Sequence, residues 1–196
     1  MGTREFCPQF NNKIFDVDQT LFKVLMDWVG WREGLALEMK RIDPKFVGTG
    51  RSNDRCNQFV LRQEGHVKQV AARDAISAFN TGHEITTNSG FEFNWPLIAA
   101  IKADTESTKH IFTSNNLPIV KLGLAACGLT GFFTGKIITR ADVMQLKPNN
   151  EGLELIIARG NRYDFVLFGD DENDRLAAEA SQIAFVKVNY PFIVKV

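Results

Sequence analysis

Apolar and polar residues change their spacing twice along the chain. Residues 13–17 form a short apolar, β-favouring run, which predicts a buried strand. From Leu21 to about Phe93 the spacing is helical: Phe22, Leu25, Met26 and Val29 predict one helix, and residues 56–79 predict another, interrupted near Gly65. Residues 81–90 are polar and are predicted to form a loop.

The second half of the chain alternates between helical and strand patterns. Helices are predicted over 95–103, 117–127, from Asn149 or Asn150 to 159, and over 172–180, and strands over 110–113, 137–139, 164–168 and 183–188. Such alternation is typical of a parallel sheet with helices on both faces. We therefore predict an α/β fold with a three-layer, Rossmann-like core.

Polar side chains follow three of the predicted strands. In parallel sheets of this type, ligands bind at the carboxyl ends of the strands. The residues at these ends are Asp16 and Asp18, then Thr113, Ser114 and Asn115, and finally Gly169, Asp170, Asp171 and Asp174. Three strand ends that carry carboxylates and small hydroxyls predict a functional site.

The first pair, Asp16 and Asp18, has the spacing that places two side chains on one side of an extended chain. Two carboxylates so close repel each other unless a cation or a proton lies between them. A calcium loop of the EF-hand type also begins Asp-x-Asp, but it needs glycine where Leu21 stands and glutamate where Asp27 stands. A metal or phosphate site fits this strand end better.

Composition narrows the classes of partner. The 196 residues include 23 basic and 23 acidic side chains, so the net charge is zero and gives no reason to expect nucleic acid as a partner. The three cysteines lack metal-ligand spacing, and together with the absence of a signal sequence they favour a cytoplasmic protein. We find no uninterrupted apolar segment long enough for a bilayer and expect no membrane partner.

Four ordered motifs together resemble those of the haloacid dehalogenase-like superfamily. They are Asp16-Val-Asp18-Gln-Thr20, Thr113-Ser114-Asn115, Lys147-Pro148 and Gly169-Asp170-Asp171-Glu172-Asn173-Asp174. The resemblance implies a catalytic core of residues 1–20 and 95–196 and an inserted, mostly helical cap of residues 21–94. A cap in this position is similar to that of phosphoglycolate phosphatase-like and β-phosphoglucomutase-like enzymes.

The same resemblance implies a Mg²⁺-dependent phosphatase that acts on a small phosphorylated metabolite. Asp16 would be the nucleophile that forms an aspartyl-phosphate, and Asp18 the general acid and base. Mg²⁺ would be held by Asp16, the backbone carbonyl of Asp18 and Asp170, with Asp174 in support. Phosphate would be bound by Lys147 and by the Thr113-Ser114-Asn115 segment, in which Thr113 is the first choice for the hydroxyl and Ser114 its competitor.

Two functions other than a phosphatase are compatible with these motifs. Gln19 stands where the family usually has glycine, which leaves room for a catalytically silent binding module. A phosphomutase would use the same aspartyl-phosphate. Asp18 argues against dehalogenation, which in this family lacks an acid/base aspartate at that position. In the cap, Trp28, Trp31, Arg32, Arg51 and Arg55 are possible substrate contacts, although tryptophans at helical spacing more often pack in the interior and exposed arginines are usually solvated.

Overall fold

The computed structural model describes residues 7–48 and 53–189, apart from the side chain of residue 54. The strands are β1 Asn12–Phe15, β2 Phe22–Leu25, β3 Gly90–Phe93, β4 Thr108–Phe112, β5 Ile137–Ile138, β6 Phe165–Gly169 and β7 Ala184–Lys187. The helices are α1 Trp28–Ile42, α2 Asn53–Leu61, α3 His66–Thr87, α4 Trp95–Ala103, α5 Leu117–Ala126, α6 Glu151–Ile157 and α7 Glu172–Ala180.

Within this part of the chain, five strands form a parallel sheet in the order β5-β4-β1-β6-β7. Alternate residues of the central strand enter different hydrophobic clusters: Phe15 packs with α4 and α5, whereas Ile14 packs with α6 and α7. Both faces of the sheet are therefore covered. The predicted α/β, three-layer, Rossmann-like core is confirmed, because a strand buried on both sides needs a layer of helices on each.

Residues 22–25 correct one prediction. They form strand β2, which pairs antiparallel with β3, and not the start of a helix. Phe22 and Val24 are fully buried while Lys23 and Leu25 are partly exposed, so the period of two prevails over the helical spacing. The helix begins only at Trp28, after Asp27 accepts hydrogen bonds from the backbone N–H groups of Val29 and Gly30.

Three helices, α1 to α3, lie between β2 and β3 in the chain. A break at Gly65 is confirmed, since that residue has φ +81° and separates α2 from α3. The predicted loop over 81–90 is wrong because α3 continues to Thr87. Its polar residues are compatible with a helix: the hydroxyls of Thr86 and Thr87 donate to carbonyls of the preceding turn. The division into a core (1–20 and 95–196) and a cap (21–94) stays a prediction.

The predicted elements of the second half are confirmed to within a few residues. Helix α4 has the predicted bounds, with Asn94 capping its first turn, and α7 matches as well. Among the residues described, no helix combines the length and the apolar character that crossing a membrane requires.

Candidate active site

The carboxyl ends of β1, β4 and β6 meet at one edge of the sheet, where they border a cavity of about 160 Å³. From the sheet side it is lined by Asp16, Asp18, Gln19, Ser114, Asn115, Arg140, Lys147, Asp170, Asp171 and Asp174. From the helices α1 to α3 it is lined by Trp28, Trp31, Asn53 and Glu84. The structure thus brings the polar strand ends together around one cavity.

Lys147 links the first and last motifs. Its Nζ donates to Oδ1 of Asp16 and to Oδ1 of Asp174, each at 2.5 Å, and all three side chains are buried. Burial alone would lower the pKa of Lys147, but the two neighbouring carboxylates raise that pKa well above its usual range. The ammonium group therefore stays charged. Its removal would leave two buried carboxylates unpaired, a change that typically costs about 3–5 kcal/mol.

The carboxylates of Asp16, Asp170 and Asp174 could hold a metal ion. One oxygen from each lies within 4.8 Å of the others. Gly169 makes room for this arrangement, since a Cβ at that position would collide with the carboxyl group of Asp174. Oxygen ligands on a compact acidic cluster suit a hard divalent cation such as Mg²⁺.

The acidity of these side chains is strongly perturbed. Burial raises the pKa of Asp16 to about 6, although the charge of Lys147 lowers it. Burial and the charges of Asp174 and Asp171 raise the pKa of Asp170 to about 6. Asp174 reaches about 7, also chiefly through burial. A single ammonium group does not compensate three clustered carboxylates, so a divalent cation would relieve a real electrostatic cost.

Asp18 lines the cavity, is partly buried and is held by strand β2. One of its oxygens, Oδ1, accepts a hydrogen bond from the backbone N–H of Val24 at 3.1 Å. Burial raises its pKa to about 6, and the charges of Asp170 and Glu84 contribute in the same direction. A carboxyl group with a pKa near neutrality can both donate and accept a proton at physiological pH.

Gln19 occupies the left-handed region of backbone conformation, with φ +60°. Its backbone N–H donates to the carbonyl of Phe22, which closes the turn between β1 and β2. Glycine reaches this conformation without steric cost, whereas other residues do so at roughly 1–2 kcal/mol. The glutamine changes the energy of the turn, but the turn itself is formed.

The three residues of the Thr113-Ser114-Asn115 segment differ in whether they line the cavity. The hydroxyl of Thr113 is buried, donates to Oδ1 of Asn115 and accepts from the Asn115 backbone N–H, and Thr113 does not line the cavity. Ser114 and Asn115 do line it. The geometry therefore favours Ser114 over Thr113 as the hydroxyl that faces a bound phosphate.

Sequence reasoning missed Glu84 and Arg140, which line the cavity. It favoured the interior for Trp28 and Trp31 while keeping both as possible substrate contacts; both line the cavity and are partly buried, and Trp31 also packs against the hydrophobic cluster of α1, α2 and α3. Arg32 does not line the cavity. Glu84 could have been found from a polar stripe, since Ser77, Asn80 and Glu84 are buried at helical spacing on α3. No local signal marks Arg140. Arg55 does not line this cavity, and Arg51 lies outside the described residues.

Comparison with known proteins agrees with this geometry. The family described as haloacid dehalogenase-like hydrolase matches residues 13–188. No protein in the curated set that was searched matches the chain. Among solved structures, a haloacid dehalogenase-superfamily hydrolase of subfamily IA from Geobacter sulfurreducens is similar, with a TM-score of 0.54 and 18% identity over 91% of this chain and 87% of that one.

Two further solved structures have a similar fold but are named for different activities. A predicted phosphoglycolate phosphatase from Haemophilus somnus has a TM-score of 0.55 and 16% identity, covering 94% of this chain and 87% of its own. A 2-haloacid dehalogenase from Pseudomonas syringae has a TM-score of 0.53 and 14% identity, covering 92% and 86%. At such identities the likeness establishes the fold alone. The family model, in contrast, matches residues 13–188, which are most of this chain. The chain therefore belongs to the haloacid dehalogenase-like hydrolases.

Proposed function

We propose that this protein is a Mg²⁺-dependent phosphomonoester hydrolase that acts on a small phosphorylated metabolite through a phosphorylated Asp16. The observation that carries the proposal is the pair Asp16 and Asp18 at the end of β1, with Lys147 bonded to Asp16 at 2.5 Å. This arrangement supplies a nucleophile, a proton carrier and a fixed positive charge in one small cavity.

In the proposed reaction, a carboxylate oxygen of Asp16 attacks the phosphorus atom while the bond to the ester oxygen breaks. Lys147 holds the attacking side chain in place through its contact with Oδ1. The same ammonium group neutralises charge that builds on the phosphoryl oxygens. The donors at Ser114 and Asn115 line the same cavity and would orient the phosphoryl group.

Asp18 would supply the proton to the departing ester oxygen and then take a proton from the water that cleaves the aspartyl-phosphate. Its hydrogen bond to the Val24 N–H leaves the second carboxyl oxygen, Oδ2, to carry the proton. A pKa of about 6 suits this double role, because both protonation states are accessible near neutral pH.

The acidic cluster supports the metal requirement. Mg²⁺ would be held by Asp16 and Asp170, with Asp174 and the backbone carbonyl of Asp18 in support, and it would neutralise charge so that an anionic carboxylate can approach an anionic phosphate. The raised pKa values of Asp16, Asp170 and Asp174 are consistent with a site that gains from a divalent cation.

Asp18 also favours phosphate-ester hydrolysis over dehalogenation. A halide leaves as an anion and needs no proton, so dehalogenation gives no role to an acid beside the nucleophile. An alkoxide is a poor leaving group and needs one. In a dehalogenase, the hydrogen bond from the Val24 N–H that holds Asp18 in place would position an acid that the reaction does not need.

The proposal is tested by phosphate release from p-nitrophenyl phosphate with Mg²⁺ and with excess chelator. Wild type should turn over only with the metal, and Asp16→Asn should lose essentially all turnover while its thermal unfolding stays cooperative. Asp74→Asn, which removes an exposed carboxylate of α3, is the matched control and should retain wild-type turnover. Metal-independent release, or turnover by Asp16→Asn, would refute the proposal. A sugar phosphate that is isomerised without release of phosphate would instead identify a phosphomutase.

A further inference from the structure

Residues 114–116 follow strand β4 and include the donors that are proposed to orient the phosphoryl group. Their main chain is held by Arg140, a buried residue of the turn after β5. The Nε atom of Arg140 donates to the carbonyl of Ser114 at 2.9 Å, and its backbone N–H donates to the carbonyl of Asn115 at 3.2 Å. These two hydrogen bonds fix the direction in which the segment leaves the strand.

Helix α3 holds the last residue of the segment. The hydroxyl of Ser77 donates to Oδ1 of Asn116 at 3.2 Å, and Oε2 of Glu84 accepts from the backbone N–H and Nδ2 of Asn116 at 3.3 and 3.1 Å. An asparagine directly before a helix usually caps that helix with its own side chain. Asn116 makes no such capping bond to α5, because α3 engages its side chain instead.

The side chain of Ser114 is oriented from a third direction, by helix α2. Asn53, the first residue of α2, donates from Nδ2 to Oγ of Ser114 at 2.9 Å. Both residues are partly buried and line the cavity. Within the described part of the chain, this is the hydrogen bond that sets the direction of the Ser114 hydroxyl, since its oxygen has no other partner there.

The direction of this hydrogen bond leaves the Ser114 proton available. A hydroxyl has one proton to donate and two lone pairs, and an amide NH₂ group can only donate, so Asn53 Nδ2 occupies a lone pair and cannot accept in return. The neighbouring hydroxyl of Thr113 differs, because it already donates to Oδ1 of Asn115. A phosphoryl oxygen in the cavity would accept the free Ser114 proton, and an oxygen that itself accepts a hydrogen bond makes its O–H a stronger donor.

From these contacts we infer that Asn53 is a positioning residue for phosphate binding, which orients the Ser114 hydroxyl so that its proton faces the phosphoryl group. Asn53 acts through Ser114 and needs no contact of its own with the substrate. The inference rests on the proposed phosphatase function and extends it to α2, because a side chain of that helix completes the phosphate site at the end of β4.

The experiment is a double-mutant cycle with p-nitrophenyl phosphate and Mg²⁺, in which kcat, KM and the competitive inhibition constant of inorganic phosphate are measured. Ser114→Ala should lower kcat/KM by about tenfold or more, as expected for a hydrogen bond to a charged group. Asn53→Ala should lower it by about three- to tenfold. The double variant should lose no more than Ser114→Ala, to within about twofold, because Asn53 acts only through the missing hydroxyl.

The inhibition constant separates positioning from a general loss of structure. It should rise in both single variants, whereas a smaller folded fraction would lower the apparent kcat and leave the inhibition constant unchanged. Asn53→Asp keeps the side-chain shape but cannot donate, so it should lose at least as much kcat/KM as Asn53→Ala. Gln58→Ala is the matched control, since it removes another amide side chain of α2 that is exposed and does not line the cavity; it should behave as wild type.

Three results would overturn the inference while wild type still releases phosphate, and would leave the phosphatase proposal intact. They are losses that add in the double variant, an inhibition constant that does not change in Asn53→Ala, and wild-type kcat/KM in Asn53→Asp or Ser114→Ala. If wild type releases no phosphate in the presence of Mg²⁺, the phosphatase proposal fails, and the inference fails with it.

Discussion

At the scale of single residues, Gln19 departs from the family pattern at a cost in backbone conformational energy, but the turn that contains it still forms. Its φ of +60° is the conformation that glycine adopts freely. Gln182, directly after α7, has a similar φ of +55° and is likewise exposed, but lies outside the cavity. Substitutions at the two glutamines can therefore be compared to separate the effect of backbone conformation on stability from the effect of the Gln19 side chain on the cavity.

We expect Gln19→Gly and Gln182→Gly each to raise the free energy of unfolding by about 0.5–1 kcal/mol. Relief of left-handed strain, roughly 1–2 kcal/mol, exceeds the extra entropy that glycine gives the unfolded chain, roughly 0.5–1 kcal/mol. Urea unfolding measures both changes. Only Gln19→Gly should also alter kcat/KM. A clear loss of stability in Gln19→Gly would mean that the glutamine side chain itself supports the turn.

His110 provides a second residue-scale prediction, this time of pH dependence. Its Nδ1 accepts from the backbone N–H of Lys136 at 2.9 Å, so the ring must be neutral. Burial, with the charge of Lys136 acting in the same direction, lowers its pKa from 6.5 to about 4. Because the unfolded state then binds the proton more readily, His110 contributes stability above about pH 6.5 that is lost as the pH falls towards 4.

This contribution amounts to at most about 3 kcal/mol. Between pH 7 and pH 4.5, wild type should therefore lose more stability in urea unfolding than His110→Gln, which cannot titrate. The exposed His66 gives the control His66→Gln, which should follow wild type. Equal pH dependence in all three proteins would contradict the role assigned to His110.

At the scale of elements, strand β2 positions Asp18, the proposed proton carrier, and helix α5 packs against β2. The Phe22 ring of β2 lies against Gly123 of α5 so closely that a Cβ there would collide with it. Val24, two residues further along, donates its N–H to Asp18. Packing at Gly123 is thereby connected to Asp18 through one short strand.

Gly123→Ala should destabilise the protein by about 1–3 kcal/mol, the usual cost of overpacking a buried site, and should reduce kcat by displacing β2. Gly82→Ala is the matched control: it also lies inside a helix, α3, but no atom lies within 4 Å of the added Cβ. That substitution should stabilise the protein by about 0.5–1 kcal/mol. Thermal unfolding and steady-state kinetics check both, and a neutral Gly123→Ala would contradict the proposed coupling.

Helix α2 braces the segment that precedes Lys147. The side chain of Asn57 donates to the carbonyl of Leu146 at 2.8 Å and accepts from its N–H at 2.7 Å. Leu146 and Val143 also pack into the hydrophobic cluster formed by α1, α2 and α3. The helices α1 to α3 therefore do more than line the cavity, since they also fix the chain that carries the Lys147 ammonium group.

At the scale of the whole molecule, the sequence was most informative where function follows local structure. Asp16, Asp18, Asp170 and Asp174 were found because they follow the ends of β1 and β6 closely in the chain, and parallel strands bring their carboxyl ends to one edge. Residues 22–25 were misread because their apolar positions fit both a period of two and a helical spacing. Tertiary packing decided between the two.

Glu84 and Arg140 could not be located in the same way. The place of Glu84 depends on how α3 packs against Asn116, and Arg140 lies in a turn from which its side chain reaches the carbonyl of Ser114, beyond the end of β4. Such positions are properties of the assembled molecule. For the same reason, the sequence indicated the carboxylates at the strand ends more readily than the residues that α3 and the turn after β5 add to the cavity.

The central claim is that Asp16 becomes phosphorylated during turnover, and Asp18→Asn allows this to be observed directly. The p-nitrophenolate group leaves without a proton, so the first step should proceed in this variant, whereas hydrolysis of the intermediate needs the missing base. After acid quenching, mass spectrometry should find one phosphoryl group on the peptide that contains Asp16, and none in the double variant Asp16→Asn, Asp18→Asn. A phosphoryl group on another residue, or turnover without any protein-bound phosphoryl group, would contradict this account.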